Sequence, residues 1–149
     1  MTTSYPNPSM SVKVLTEPVT ADSDAPQSTD LAVIPAPLTT YVVEATLLLS
    51  SADPMVAGAV VGVVWPNGCT DGVATIRVAG VSTEGNIGAN LAADPAVHPG
   101  FGSWPATVRA TFVTGESPSG SFVVTVASSD GVTEVSVGAG SWLRVWALG

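Results

Sequence analysis

The chain has 149 residues, of which 46% are hydrophobic and only 11% are charged, so it is long enough for one globular domain and too apolar to be disordered throughout. Twelve acidic residues against four basic ones give a net charge of -8, which argues against nucleic acid and anionic membranes as partners because their ligands concentrate Lys and Arg. Fifteen glycines and twelve prolines favour many short strands joined by turns over helices.

Residues 1–38 are predicted to form an extended, proline-rich arm. Half of the twelve prolines precede residue 39, whereas the first glycine is Gly58, and each proline removes a backbone donor and favours extended geometry before it. Two apolar patches interrupt the arm, and their candidate anchoring residues are Val12, Val14, Leu15, Leu31, Val33 and Ile34. We expect these patches to dock on a neighbouring surface and become ordered there, a disordered leader being the alternative. The first residues lack the basic and apolar regions of a secretory signal, which predicts that the protein is made in a cytoplasm.

From residue 39 onward the hydrophobic period is two. Residues 41–50 alternate as a half-buried strand does, with Tyr41 and Leu49 at the ends of its apolar face. Residues 57–65 are apolar on both faces, which predicts a strand buried on both sides or packed against another subunit. A weaker strand is predicted over 72–79, and the glycine- and proline-rich stretch 80–104 is predicted to be a long irregular loop with a functional or oligomer-facing role.

The last third of the chain predicts two hairpins and a terminal strand. Residues 107–112 and 122–126 alternate on either side of a glycine- and serine-rich turn, and a second turn at Ser129–Gly131 leads to another alternating run over 133–137. Residues 141–148 carry so many large apolar groups that we expect an inner strand. About seven strands with such turns predict an all-β fold: an antiparallel two-sheet β-sandwich of the jelly-roll kind over residues 39–149, preceded by the arm.

The residues that could carry chemistry are few. His98 is the only histidine and has no second ligand at metal-binding spacing, and the lone Cys69, which cannot close an internal disulfide, has no orienting third group for a dyad with His98. The glycines of Gly138–Gly140 precede a predicted strand, which does not fit a dinucleotide-binding turn. The sequence therefore predicts no catalytic, cofactor-binding or metal-binding residues, and a protein that is not an enzyme.

Large apolar groups point instead to association between subunits. A doubly apolar strand, four tryptophans and few charges exceed what one small sandwich needs to bury. The residues predicted to form a subunit interface are Val61, Val63, Trp65, Trp142 and Trp146.

Three segments, Thr40–Leu47, Gly120–Ala127 and Gly138–Val145, resemble a family of small virion proteins of tailed bacteriophages. The resemblance covers residues 39–148 and implies a trimeric β-sandwich displayed on a capsid or tail. On this basis we expect a homotrimeric capsid decoration or cement protein, assembled in the bacterial cytoplasm, displayed on the virion surface and anchored to the major capsid protein by the arm. The alternative is a host-binding fibre or tail-tip adhesin, in which the 80–104 loop and an exposed Trp104 contact a surface glycan or protein.

Overall fold

A computed structural model describes residues 9–78, 81–86, 91–93 and 103–148, which form twelve strands and no helix. The strands are β1 (Ser9–Val14), β2 (Val19–Ala21), β3 (Gln27–Val33), β4 (Thr40–Ser51), β5 (Ala59–Val64), β6 (Asn67–Val78), β7 (Val81–Asn86), β8 (Leu91–Ala93), β9 (Ser103–Ser119), β10 (Phe122–Ser128), β11 (Val135–Val137) and β12 (Trp142–Leu148).

Two antiparallel sheets pack face to face, which confirms the predicted all-β sandwich. The larger sheet has the order β1-β12-β4-β9-β6-β7, and its short strands β11 and β2 continue the lines of β12 and β1 beside the far end of β4. The smaller sheet has the order β3-β10-β5-β8. All strand pairs that the structure describes are antiparallel, so one face of each sheet covers the core and the other faces outward.

The centre of the larger sheet is the pair formed by β4 and β9. Their ladder runs without interruption from Thr40 opposite Val113 to Ser50 opposite Ser103. Every second residue of β4, from Tyr41 to Leu49, is buried, as the alternation in the sequence predicts. The inner residues of β9 follow the same period and end in Trp104, which is 7% exposed.

Aromatic rings fill one end of the core between the sheets. Phe112 stacks on Tyr41 and on Phe122, with ring centroids 5.1 and 5.5 Å apart, and Trp65 meets both phenylalanines edge-on. Such offset and edge-on pairs add to the stabilisation that area burial alone provides. The remainder of the core is aliphatic, with Leu31, Leu47 and other side chains fully buried.

Neither predicted hairpin forms. β9 belongs to the larger sheet and β10 to the smaller one, so the glycine-rich turn that includes Gly120 carries the chain across the sandwich. The turn after β10 likewise returns the chain to β11 in the larger sheet. An alternating run followed by a turn fits a hairpin within one sheet and a connection between the two sheets equally well. In either case the next strand runs back along the same core in the opposite direction.

The predicted irregular loop over 80–104 contains regular structure. β7 extends the larger sheet beside β6, and β8 pairs with β5 in the smaller sheet. β9 also begins earlier than predicted, at Ser103. Residues 79–80, 87–90 and 94–102, which include His98, lie outside the described part of the chain.

Residues 9–33 of the predicted arm are strands of the same sandwich. β1 pairs with β12, β2 with β11 and β3 with β10, so this segment supplies an edge to each sheet. β3 contains a bulge, where the buried Thr29 hydroxyl donates to the Val124 carbonyl (2.8 Å) and accepts from the Leu31 N–H (3.1 Å). The described arm residues are therefore integrated into the domain and do not extend away from it.

Candidate functional site

The described residues contain no group of three His, Cys, Asp or Glu side chains that could hold a metal ion. Cys69 is partly buried, its thiol donates a 3.5 Å hydrogen bond to the Pro66 carbonyl, and burial raises the pKa of the thiol above its ordinary value. A higher pKa reduces the thiolate fraction at neutral pH, which makes Cys69 a poor nucleophile. The surface of the larger sheet offers a more distinctive arrangement.

The outer face of the larger sheet presents aromatic side chains in a terminal strand. Trp142, Arg144 and Trp146 alternate along β12 with the inward-facing Leu143 and Val145. Both tryptophans are half-buried and flank the arginine, whose guanidinium carbon lies 5.3 Å from the Trp142 ring centroid and 4.9 Å from that of Trp146. These distances are those of cation–π contacts.

An acidic side chain of the neighbouring strand β4 fixes the arginine in this position. Arg144 Nε and Nη2 both bond to Glu44 Oε2, at 2.9 and 2.5 Å, and Arg109 on β9 lies 3.4 Å from Glu44 Oε1. Glu44 is 22% exposed and Arg144 41% exposed, so the pair is shielded on one side, whereas Arg109 is 76% exposed. The charge of Arg144 is thus neutralised within the sheet surface, and the two rings are held in fixed orientation.

Strand β1 places three aliphatic side chains beside this aromatic strand. Its ladder sets Met10 opposite Trp146, Val12 opposite Arg144 and Val14 opposite Trp142, and directly opposite residues of an antiparallel pair share a face. Met10, Val12 and Val14 are 57%, 54% and 56% exposed. The outer strip, as we name it, consists of Met10, Val12, Val14, Trp142 and Trp146.

The polarity of β1 is reversed relative to the strands of the core. Met10, Val12 and Val14 share the outer face, whereas Ser11 and Lys13 are opposite the inward-facing Val145 and Leu143. A cleft of about 250 Å³ at the edge of the sandwich is bordered by Ser9, Met10, Ser11 and Lys13. All six residues of β1 are exposed. Such a strand exposes aliphatic side chains to water, so its reversed polarity is favourable only when another molecule covers the outer face.

The outer face is also the part of the larger sheet where most of the basic residues gather. Arg144 and Arg109 flank Glu44 in one row, and Arg77 is opposite Thr107 in the next row. The chain has only four basic residues. Their concentration here lowers the negative charge of this face relative to the rest of a protein with net charge -8.

The predicted anchoring residues separate into two groups. Val12 and Val14 belong to the outer strip, and Ile34 is 81% exposed at the edge of the sandwich. Leu15, Leu31 and Val33, in contrast, are buried in the core of their own chain, because β3 and the end of β1 pair with the sandwich. The assignment of these last three residues to an anchor is corrected accordingly: they stabilise the fold.

The predicted subunit interface also divides. Val61 and Val63 on β5 are buried within the chain, 0% and 7% exposed, so neither presents a surface to another subunit. Trp65 is partly buried, and its ring packs on the core phenylalanines. Trp142 and Trp146 do lie on the surface, in the outer strip. One surface, the outer strip, therefore contains two residues of the predicted subunit interface and two of the predicted anchor. They are Trp142 and Trp146 of the former and Val12 and Val14 of the latter.

Sequence analysis did not select Met10 or Glu44. The alternation of Met10, Val12 and Val14 with Ser9, Ser11 and Lys13 is a period-two pattern that could have indicated a strand. Its register against β12 joins residues that are 128 to 138 positions apart and is not encoded in any local pattern.

Comparison with known proteins adds no assignment. No protein-family model matches the chain, and a search of the curated proteins finds no significant relative. In the part of the chain that the structure describes, there is also no helix long and apolar enough to cross a lipid bilayer.

Proposed function

We propose that this chain is a non-enzymatic structural protein of a bacteriophage virion, a capsid decoration or cement protein, and that the outer strip is the surface with which it contacts the capsid lattice. The observation that carries the proposal is the reversed polarity of β1 beside Trp142 and Trp146. Three half-exposed aliphatic side chains lie next to two tryptophans and the paired Arg144, and exposed apolar surfaces rimmed by polar groups mark contacts between proteins.

The charge distribution supports attachment through this surface. Arg144, which lies between the two tryptophans of the outer strip, forms an ion pair with Glu44. A partner that covers the strip therefore does not bury an unpaired charge. The net charge of -8 opposes contacts through the acidic parts of the surface. Association is therefore favoured on the outer strip and disfavoured over the acidic remainder of the protein.

The proposed attachment differs from the one expected from sequence. A free arm would bind through all six of its apolar residues, whereas Leu15, Leu31 and Val33 are occupied within the sandwich. The proposed anchor is a rigid sheet face, on which Met10, Val12 and Val14 are already ordered by β12. A preorganised surface loses less conformational entropy on binding than an arm that must fold there.

The copy number of the chain in purified virions tests the proposed function. We expect an abundance close to that of the major capsid protein, because a decoration protein covers a lattice. A few copies per virion would contradict decoration and favour the adhesin, and absence of the chain from virions would refute both. Trp104, which the adhesin would expose, is 7% exposed, so the structure offers no observation in favour of that alternative.

A further inference from the structure

The edges of the two sheets differ in how well they are protected against pairing with another chain. Among the described strands, β1, β2 and β7 lie at edges of the larger sheet, and β3 and β8 end the smaller one. β3 carries a bulge and Asp30, β7 carries Glu84, and β2 and β8 have only three residues each. Bulges, charges and short length are the features by which proteins block edge-to-edge pairing.

Strand β1 carries one charge, Lys13, as β7 carries Glu84, but it differs from β7 in its apolar side chains. Its six residues pair with β12 in unbroken register, and Met10, Val12 and Val14 are exposed on one face, where they can meet another apolar strand. Every residue of β1 is exposed, and its free edge presents the unpaired backbone groups of a regular strand. It is therefore the described edge best suited to accept another strand.

We propose that β1 pairs antiparallel with β1 of a second copy of this chain, across a two-fold axis at Val12. In this register Val12 faces Val12 of the second copy and Met10 faces Val14, so aliphatic residues meet on the outer face. Lys13 faces Ser11 on the inner face. Registers shifted by one residue would set apolar against polar side chains, and a register centred on Lys13 would set two ammonium groups opposite each other. A register centred on Ser11 would leave Val14 without an aliphatic partner in β1 of the second copy.

The pairing joins the outer strips of the two copies. β1 lies between β12 and the axis, so six aliphatic side chains would form a continuous band with a pair of tryptophans on each side. This deepens the proposed function, since one dimer then presents a doubled contact surface. The pairing itself is independent of the virion role, and it predicts two-fold association where the resemblance implies trimers.

The dimer is expected to be weak without a lattice. Five to six paired residues span about 20 Å of strand, and an interface of that length buries well under the roughly 1,200 Å² of a stable complex. Sedimentation of the purified full chain from about 10 µM to about 1 mM should therefore show a concentration-dependent increase in mass toward the dimer. A molar mass that remains monomeric over this range, or that rises to a trimer, would overturn the proposal.

Two substitutions at one exposed position test the register. Ser11→Glu places a carboxylate opposite Lys13 of the second copy twice per dimer and should tighten association roughly twofold to thirtyfold. Ser11→Lys places an ammonium group opposite Lys13 and should weaken association by a similar factor. Weakening by both variants would mean that Ser11 is not opposite Lys13 of a second copy, and no effect of either would mean that β1 is not the interface; each result would overturn the proposed pairing.

Disulfide trapping gives a second readout of the same contact. Directly opposite residues of antiparallel strands have Cα atoms about 4.5 to 5.5 Å apart, within the range of a disulfide. In a Cys69→Ser background, Val12→Cys should form a covalent dimer on mild oxidation. Ser9→Cys is the matched control, because in this register two copies of residue 9 lie about 20 Å apart; equal cross-linking of the two variants would contradict the pairing.

Discussion

Replacing the aliphatic residues of the outer strip by threonine separates attachment from folding. Slightly more than half of each of these residues, Met10, Val12 and Val14, is exposed. The remaining part, slightly less than half, is buried in the isolated chain and stabilises its fold. Fully burying such a side chain is worth about 1.5–3 kcal/mol, so covering the exposed half contributes about 1 kcal/mol each, or about 3 kcal/mol for the three. Threonine is β-branched, as the two valines are, and suits a strand, but it presents a hydroxyl to the contact.

The triple variant Met10→Thr, Val12→Thr, Val14→Thr should bind particles about 100-fold more weakly than the wild type. The assay is co-sedimentation of purified, labelled chain with particles assembled without it, at a series of concentrations. Val64→Thr is the matched control, since Val64 is 50% exposed on the smaller sheet. By the same arithmetic, the buried parts of the three side chains contribute up to about 3 kcal/mol to folding, so urea unfolding should show a loss of stability no larger than that. Attachment of the triple variant at wild-type affinity, or an equal loss in the control, would refute the assignment of the contact surface.

Three further substitutions test the fold. Phe112→Ala, at the centre of the aromatic cluster, should lower the free energy of unfolding by about 3–5 kcal/mol in urea titration; a loss below about 1 kcal/mol would contradict the described core packing. Thr29→Val leaves the Leu31 N–H and the Val124 carbonyl without the hydroxyl and should cost about 1–3 kcal/mol, whereas an unchanged urea midpoint would show that the bulge does not need it. Hydrogen bonds from the Thr133 hydroxyl, then from the backbone N–H groups of Thr133 and Val132, hold the pKa of Asp130 well below its ordinary value, so its stabilisation is present above about pH 4 and is lost as the pH falls further. Asp130→Asn should therefore flatten the decline of melting temperature between about pH 5 and pH 2, and a parallel decline in both proteins would contradict this role.

The local hydrophobic pattern was enough to predict those strands whose burial follows from their own residues. The alternation from Tyr41 to Leu49 predicts which side of β4 is buried, because a period of two leaves only one way to cover five apolar residues. The terminal strand was predicted as an inner strand on its large apolar groups, and β12 does lie between β1 and β4. In both cases the information is contained within about ten consecutive residues.

Sequence reasoning was wrong where the outcome depends on which sheet a strand joins. The turns before and after β10 have the glycines of hairpins, yet both carry the chain between sheets. Prolines led to the prediction of a separate arm, although proline is compatible with the ends of edge strands, and β1 to β3 lie between Pro8 and Pro35. Pairing partners are set by packing between distant segments, which no local pattern records.

The candidate site was predicted in parts and assembled only by the structure. Trp142 and Trp146 were selected as interface residues and Val12 and Val14 as anchors, but their adjacency follows from the β1–β12 ladder. The burial of Val61 and Val63 within the chain shows why an apolar strand alone does not identify an interface: the same pattern serves the core of a sandwich.

Methionine oxidation gives the most direct test that the outer strip is the contact surface. Met10 lies in the strip and is 57% exposed, and Met55 lies outside it, between β4 and β5, and is 61% exposed. In dilute free chain, hydrogen peroxide should convert both to the sulfoxide at similar rates, as measured by peptide mass spectrometry. In assembled virions, we expect oxidation of Met10 to slow at least severalfold while Met55 reacts as before. Equal oxidation of the two methionines in virions would contradict the proposed contact surface.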